Sequence, residues 1–232
     1  METLDGKTAL ITGAKGGLGT YVTETFLAAG ANVAGVSRSI QQTDFPHPRF
    51  FAVPAELSSL NAAQTVVKEL TGRFPRIDIL VHLVGGFAGG TSVAGTDDAT
   101  FERMLDLNLR SAFHIFRAVI PVMRESGSGR IVAIGSRAAV EPQPSIGAYS
   151  ASKSALVSLV RSVALENKDT GITANVILPG TMDTPANRAA DPAADFAKWI
   201  DPQQVANLVL WLASEEATQV TGAVIPVYGK EL

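Results

Sequence analysis

The sequence predicts a doubly wound α/β protein, in which one parallel sheet is covered by helices on both faces. Short apolar runs rich in β-branched residues alternate with longer helical patterns along nearly the whole chain, and this alternation is typical of such a sheet. No composition shift, linker or internal repeat divides the 232 residues. We therefore expect a single domain that covers residues 1–232.

Seven strands are predicted, each a short apolar or β-branched run between turn residues. They are Thr8–Ile11, Asn32–Val36, Phe50–Val53, Ile79–Leu83, Arg130–Ile134, Thr173–Leu178 and Val224–Val227.

Helical periodicity is clear between several of these strands. After the first strand, Leu18, Val22, Phe26 and Ala29 recur with helical spacing and are followed by Gly30, a typical helix stop. The sequence therefore predicts that the first crossover is a helix.

Two further segments are predicted to be helical and one is not. A long apolar pattern covers Ala148–Leu165, and Asp201 followed by Pro202 predicts a capped helix that runs to about Leu212. Arg38–Arg49 contains two prolines and lacks apolar periodicity. We expect an irregular crossover there instead of a helix.

Composition excludes several classes of function. The chain is 46% apolar and 18% charged, which is typical of a globular protein, and its net charge of −3 is too small for a nucleic-acid footprint. It has no cysteine for disulfides or thiolate catalysis, and its three scattered histidines predict no metal site. No nucleic-acid partner is expected.

The sequence also lacks the marks of export or membrane insertion. Met1–Lys7 has neither a basic nor an apolar region of the kind found in leader peptides, and the uncharged window Ile79–Thr96 carries five glycines. We expect a cytoplasmic protein with no membrane partner.

A glycine-rich turn lies between the first strand and the first helix, over Thr12–Gly19. Glycines there let the backbone approach a pyrophosphate and present N–H groups at the positive end of a helix dipole. The flanking strand and helix predict a Rossmann-type dinucleotide site. Its residues would be Gly13, Lys15, Gly16, Gly17, Leu18 and Gly19.

The end of the second strand predicts which dinucleotide binds. Ser37 and Arg38 stand where an acidic side chain would accept hydrogen bonds from an unphosphorylated ribose. A guanidinium can pair with a 2′-phosphate, and Lys15 supplies a second cation. The predicted cofactor is therefore NADP(H).

A second group of residues predicts acid–base chemistry. Ser136 ends the fifth strand, and Tyr149 and Lys153 are four residues apart at the start of a predicted helix, so they share one helix face. A free tyrosine, with a pKa near 10, is a poor acid or base at neutral pH. The neighbouring ammonium and a cationic nicotinamide are expected to lower the pKa of this phenol.

Together these motifs resemble the short-chain dehydrogenase/reductase family over essentially the whole chain. The matches are the cradle at Thr12–Gly19, Asn108 in Leu-Asn-Leu, Ser136 in Ile-Gly-Ser, Tyr149 with Lys153, and Pro179-Gly180 before Thr184. The resemblance implies hydride transfer between a nicotinamide and a small-molecule carbonyl or alcohol.

The resemblance also implies a role for each catalytic residue. Tyr149 would be the acid/base, Ser136 would orient the carbonyl oxygen, Lys153 would hold the ribose and lower the tyrosine pKa, and Asn108 would support a proton-relay water. Further cofactor contacts are implied for Glu56, Leu57, Gly85, Pro179, Gly180, Met182 and Thr184.

Three positions depart from the family pattern. His82-Leu83-Val84-Gly85 replaces the usual Asn-Asn-Ala-Gly, Glu56 replaces an Asp that touches the adenine, and Tyr228 replaces an Asp near the C-terminal glycine. No catalytic group is lost. We interpret His82 and His114 as packed structural histidines.

Some features are similar to dihydropteridine reductases, which reduce a quinonoid pterin. These are the glycine-rich Gly85–Gly90, the missing second crossover helix and the Leu178–Arg188 segment. Those enzymes favour NADH and lack the catalytic serine, whereas this chain has Arg38 and Ser136. Pterin reduction is therefore a secondary alternative to ketone reduction, and a non-catalytic dinucleotide sensor is a third.

Two predictions concern the surroundings of the site. Residues 181–200 are expected to form a substrate lid, whose Phe196 and Trp199 either line a pocket or pack the lid onto the core. The helix Ala148–Leu165 is apolar on more than one side, which predicts a homodimer or homotetramer.

Overall fold

The computed structural model describes residues 3–230 and contains one seven-stranded parallel sheet. The strand order is β3-β2-β1-β4-β5-β6-β7, so the chain reverses its direction of winding between β1 and β4. All seven predicted strands are confirmed. Their bounds are β1 Thr8–Thr12, β2 Asn32–Ser37, β3 Phe50–Pro54, β4 Ile79–His82, β5 Gly129–Ile134, β6 Ile172–Pro179 and β7 Val224–Val227.

Seven α-helices accompany the sheet in the described part of the chain. They are α1 Gly17–Ala28, α2 Leu60–Arg73, α3 Asp98–Leu105, α4 Ser111–Glu125, α5 Gly147–Glu166, α6 Pro185–Ala190 and α7 Pro202–Ala213. A π-helical turn, Asp106–Arg110, joins α3 to α4. The predicted helices correspond to α1, α5 and α7.

Two separate hydrophobic cores lie on the two faces of the sheet. In β1, Leu10 packs into the core that contains α2, α4 and α5, whereas Ala9 and Ile11 pack into the core that contains α1 and α7. This alternation follows from the two-residue period of a strand. Helices on both faces of the sheet, as predicted, are therefore confirmed.

The crossover from β2 to β3 contains no α-helix. Its regular structure is a single 3₁₀ turn, Gln42–Asp44, in which the Asp44 carboxylate accepts the Gln41 backbone N–H. The irregular crossover predicted from the prolines is confirmed.

Helix α7 begins as its sequence predicts. The Asp201 side chain accepts the backbone N–H of Gln203, and Pro202 occupies the first turn, where its missing N–H costs nothing. Across residues 3–230, none of the helices has the length and apolar character needed to cross a bilayer.

Candidate active site

The glycine-rich turn after β1 forms a cradle at the N-terminus of α1. Gly13 has a φ of +74°, which favours glycine, and its carbonyl accepts the Gly16 N–H at 2.9 Å. A Cβ on Gly19 would overlap the Gly13 carbonyl oxygen and lie 2.8 Å from the Ala14 carbonyl carbon. The turn can therefore close only with glycine at these two positions.

The two cations predicted for the 2′-phosphate already have acidic neighbours. Lys15 Nζ lies 2.9 Å from Asp44 Oδ1 and donates to the Ser39 carbonyl at 3.3 Å. Arg38 Nη1 lies 3.9 Å from Glu56 Oε1, and both side chains are mostly exposed. Such an exposed, loosely paired guanidinium is free to turn towards another anion.

Glu56 and Leu57 differ in what they present to this end of the site. The Glu56 side chain is exposed and faces Arg38, whereas the Leu57 side chain is 5% exposed and packs into the core. A coenzyme contact at Leu57 would therefore have to come from its backbone.

His82 lies at the end of β4 and joins the cradle to the start of α4. Its Nδ1 lies 2.9 Å from Thr12 Oγ1 and its Nε2 lies 3.4 Å from Ser111 Oγ. Because Ser111 donates its own proton to the Leu107 carbonyl, it accepts from His82 Nε2–H, and Thr12 donates to Nδ1. Burial and the charge of Lys153 lower the pKa of His82 to about 3, so the ring is neutral.

Ser136 and Tyr149 come together where the β5 loop meets α5. The Ser136 hydroxyl lies near enough to the Tyr149 phenol to lower the pKa of that phenol. Ser136 also accepts the Ala138 backbone N–H at 3.2 Å, because it caps the 3₁₀ turn after β5. Burial raises the pKa of Tyr149 above its ordinary value, and the Ser136 hydroxyl opposes that rise.

Lys153 lies one turn after Tyr149 on α5 and is 5% exposed. Its ammonium donates to the Ile134 carbonyl at 3.0 Å, and burial lowers its pKa to about 8. Burial raises the pKa of Tyr149, and the lowering expected from Lys153 together with a nicotinamide cation stays a prediction.

Asn108 lies in the π-helical turn and is completely buried. Its side chain accepts the Gly86 N–H at 2.9 Å and donates to the Gly86 carbonyl at 3.0 Å and to Ser152 Oγ at 3.0 Å. Ser152 in turn donates to the Tyr149 carbonyl at 2.7 Å. Asn108 thus ties the loop after β4 to the turn of α5 that carries Tyr149.

Gly85 lies between Asn108 and Lys153. A Cβ at this position would lie 2.8 Å from Asn108 Oδ1 and 3.1 Å from Lys153 Nζ. Both side chains therefore meet at one point of the backbone, although they are 45 positions apart in sequence.

The segment after β6 returns to the cradle. Pro179 ends β6, and the Gly180 N–H donates to the Val227 carbonyl at 2.9 Å. Thr184 caps α6, and its side chain would lie 3.1 Å from a Cβ on Gly17. The Met182 carbonyl accepts the Thr184 N–H and the Asn187 side chain.

Residues 181–200 form a loop at this edge of the sheet, and the two ends of the loop lie side by side. Its two ends are joined by a bridge between Met182 and Ile200, and the rings of Phe196 and Trp199 pack at 4.8 Å. The Arg188 guanidinium lies 4.6 Å from the centre of the Phe196 ring and pairs with Asp183. The Phe196 ring thus contacts both the Trp199 ring and the arginine of this ion pair.

A cavity of about 360 Å³ lies beside the start of α5. Its lining comes from the loop after β4, from α3 and from residues 145–148, and neither Phe196 nor Trp199 is among the described residues that line it. Phe87, which lines the cavity, packs edge-to-face on Tyr149 with 5.0 Å between ring centres.

Sequence reasoning missed three residues of this arrangement. Asp44 competes for Lys15, Ser152 links Asn108 to Tyr149, and Phe87 covers Tyr149. The glycines around Phe87 were a usable signal, because a large ring in a flexible, glycine-rich loop often faces a ligand. Ser152 and Asp44 carried no comparable signal.

The family and its relatives agree with this geometry. The profile described as short chain dehydrogenase matches residues 7–195. The chain is 31% identical to the short chain dehydrogenase adrF of Penicillium rubens, with 98% of this chain and 97% of that protein covered. It is 30% identical to the 3-oxoacyl-(acyl-carrier-protein) reductase FabG of Escherichia coli, with 97% of each chain covered.

Solved structures give the same result. A short-chain dehydrogenase/reductase from Burkholderia xenovorans superposes with a TM-score of 0.90 at 30% identity, with 98% of this chain and 96% of that chain covered. The carboxyl ends of the strands, the glycine cradle and the Ser136–Tyr149–Lys153 group are thus set in a fold shared over the full length of these relatives. The chain belongs to the short-chain dehydrogenase/reductase family of oxidoreductases, which use a nicotinamide cofactor.

Proposed function

We propose that the protein is an NADP(H)-dependent oxidoreductase that interconverts a small-molecule ketone or aldehyde and its alcohol, with Tyr149 as the acid/base. The observation that carries this proposal is the placement of the Ser136 hydroxyl beside the Tyr149 phenol, whose pKa it lowers, one helical turn from the buried Lys153. Two neighbouring hydroxyls of this kind can bind one carbonyl oxygen.

The residues present fit a nicotinamide dinucleotide. The cradle turns so tightly that Gly13 and Gly19 have no room for a side chain, which leaves the backbone N–H groups at the start of α1 open to a pyrophosphate. Thr184 and the backbone at Met182 would hold the carboxamide, and Lys153 would hold the ribose. The bound coenzyme supplies or accepts the hydride.

The preference for NADP(H) follows from charge at the end of β2. Ser37 and Arg38 stand there without a carboxylate of their own, and Arg38 is loosely paired and 79% exposed. A 2′-phosphate would replace Glu56 as the partner of Arg38 and would share Lys15 with Asp44. Turnover with NADH as fast as with NADPH would show that this interpretation of Arg38 is wrong.

In carbonyl reduction Tyr149 is the proton donor. Burial keeps its pKa raised, so at neutral pH the phenol carries the proton that the product alkoxide needs. Ser136 holds the carbonyl oxygen next to the phenol. In the reverse direction the phenol must lose its proton, so alcohol oxidation is expected to accelerate as the pH rises above neutrality.

In this proposal Asn108 is a positioning residue that does not touch the substrate. Its side-chain amide is occupied by Gly86 and Ser152, so it fixes the loop after β4 against the turn that carries Tyr149. The relay water predicted beside Asn108 would have to bind to other groups near Lys153.

We also propose that the chain works as a homodimer or homotetramer in the cytoplasm, and that residues 181–200 move over the bound substrate. Neither alternative function gains support from the relatives: one is named a dehydrogenase and one an oxoacyl reductase, not a pterin reductase or a sensor. The short β2–β3 crossover is the feature that agrees with the pterin alternative.

Replacing Tyr149 by Phe tests the proposal. We expect kcat to fall by about 10²- to 10⁴-fold, because the proton donor is lost, while the dissociation constant for NADPH stays unchanged. Turnover is followed by loss of NADPH absorbance with ketones, β-ketoacyl thioesters, quinones and a quinonoid dihydropterin, each repeated with NADH.

Tyr21→Phe removes a phenol from α1, outside the site, and serves as the matched control. Unchanged turnover in Tyr149→Phe would rule out the acid/base role. A protein that binds NADPH and reduces none of the four classes would favour the sensor.

A further inference from the structure

The cavity of about 360 Å³ lies against the proposed catalytic tyrosine. Gly147 and Ala148, which line it, directly precede Tyr149, and Phe87 lies between the cavity and the tyrosine ring. A substrate whose carbonyl lies at Tyr149 would reach this cavity with the substituent that extends past Phe87.

The two walls of the cavity are held together by the backbone. The Gly90 N–H donates to the Ser145 carbonyl at 2.9 Å, and both residues have positive φ angles, +90° and +65°. Ser145 is the only residue other than glycine with a positive φ in the described range. Backbone strain of this kind persists where the surrounding structure enforces it, and it is concentrated at ligand sites.

Glycine lets the walls come close. A Cβ on Gly89 would lie 2.8 Å from Ile146 Cγ2 and 2.8 Å from Phe87 Cζ. The Gly89 backbone therefore packs directly on the Ile146 side chain at the start of α5, and any larger residue at position 89 would crowd this wall of the cavity.

The polar lining of the cavity is cationic and hydroxylic. Arg103 is the one charged side chain among the described residues that line it, and Thr91, Thr96, Thr100 and Ser145 add hydroxyls. No carboxylate from residues 3–230 lines it. A guanidinium with neighbouring hydroxyls matches the oxygens of an anionic oxyacid group.

Three of the acidic residues around α3 have partners of their own. Glu102 and Asp106, which precede and follow Arg103 in sequence, both pair with Arg110. Asp97 interacts electrostatically with Arg103, but its carboxylate caps α3 by accepting the Thr100 backbone N–H. Arg103 therefore keeps its charge available to a ligand.

We propose that this cavity binds an anionic oxyacid group of the substrate, a carboxylate or a phosphate, and that Arg103 selects it. This assignment rests on the proposed function and narrows it to carbonyl compounds that carry such a group. The exposed Phe87 ring, between the cavity and Tyr149, would contact the apolar part of the molecule that separates the anion from the carbonyl.

Three benzaldehydes test the assignment: 4-carboxybenzaldehyde, 4-formylphenyl phosphate and the neutral methyl 4-formylbenzoate. In Arg103→Gln we expect kcat/KM to fall about tenfold or more for an anionic aldehyde and to stay unchanged for the ester, since a charge-assisted hydrogen bond is lost. The anionic aldehyde whose kcat/KM falls more carries the group, carboxylate or phosphate, that the cavity accommodates. Arg103→Lys, which keeps the charge, should restore part of the loss.

Arg73→Gln is the matched control, because Arg73 is also an exposed arginine in the last turn of a helix and lies outside the cavity. If kcat/KM for the anionic aldehydes falls as much in Arg73→Gln as in Arg103→Gln, the assignment is wrong. It is also wrong if Arg103→Gln lowers kcat/KM equally for all three aldehydes.

Binding of terephthalate, which carries carboxylates and no aldehyde, separates this inference from the proposed function. Calorimetry should show about tenfold weaker binding in Arg103→Gln than in the unmodified protein. If no aldehyde is reduced but this difference persists, the proposed function fails and the anion site stands. If terephthalate does not bind, or binds both proteins equally, the anion site is refuted.

Discussion

His82 and Lys153 are both buried near the carboxyl ends of the central strands, and burial affects them differently. His82 gives up its charge and keeps two hydrogen bonds as a neutral ring, with a pKa lowered to about 3. Lys153 keeps a pKa of about 8, so at neutral pH most of it is a buried ammonium. A buried ammonium that donates to a backbone carbonyl is costly to keep charged. Functional residues often carry such a cost.

Lys153→Met should therefore stabilise the folded protein at neutral pH, by up to about 3 kcal/mol. The folded protein releases the Lys153 proton near pH 8, and the unfolded chain holds it to about pH 10.4, so stability rises with pH across this window. The extra free energy of unfolding of Lys153→Met over the unmodified protein should therefore decrease from pH 8 to pH 10.5.

Urea unfolding at several pH values measures this difference. Lys68→Met, at an exposed position of α2, is the control and should show no such trend. If the free energies of unfolding of Lys153→Met and the unmodified protein differ by the same amount at every pH, the buried-ammonium interpretation is wrong.

Among the elements, the helices α1 and α2 contain glycines for opposite reasons, as Gly19 and Gly72 show. Gly19 in α1 faces the cradle, where a Cβ would overlap the Gly13 carbonyl. Gly72 in α2 has no atom within 4 Å of its Cβ position, so nothing in the structure requires glycine there. The first glycine serves the close turn, and the second only lowers helix propensity.

Alanine at these two positions should have opposite effects. Gly72→Ala should raise the free energy of unfolding by about 0.5–1 kcal/mol, whereas Gly19→Ala should lower it by more than about 1 kcal/mol. Gly19→Ala should also weaken NADPH binding, because the cradle must open to hold the methyl group. Urea unfolding and coenzyme titration measure both effects, and unchanged NADPH affinity in Gly19→Ala would count against the cradle.

At the scale of the whole molecule, α4 and α5 leave apolar side chains in solvent. Phe113 on α4 is 44% exposed and Leu165 on α5 is 73% exposed. The inner positions of α5, such as Leu156 and Val160, are buried against the sheet. This single chain therefore leaves part of the apolar surface predicted for α5 uncovered, as expected if a second copy packs there.

If these helices form the interface, replacing both Phe113 and Leu165 by Glu should convert an oligomer into monomers. Sedimentation velocity at micromolar concentration measures this directly, and circular dichroism checks that the variant still folds. A monomeric unmodified protein would contradict the predicted homodimer or homotetramer.

The sequence by itself determined the order of the elements, the glycine cradle and the identity of the catalytic candidates. These follow from local patterns: the strand and helix periods, the turn at Gly13 and the four-residue spacing of Tyr149 and Lys153. Even the missing helix after β2 was predictable, because two prolines exclude it.

Tertiary structure decided everything that depends on distant residues meeting. It brought Asn108 and Lys153 to Gly85, Thr184 to Gly17, and Asp44 to Lys15. It also decided the pKa values, since the raised pKa of Tyr149 and the lowered pKa of Lys153 come from burial. Burial is a property of the packed chain, in which parallel strands bring sequence-distant loops to one edge of the sheet, and no local pattern encodes it.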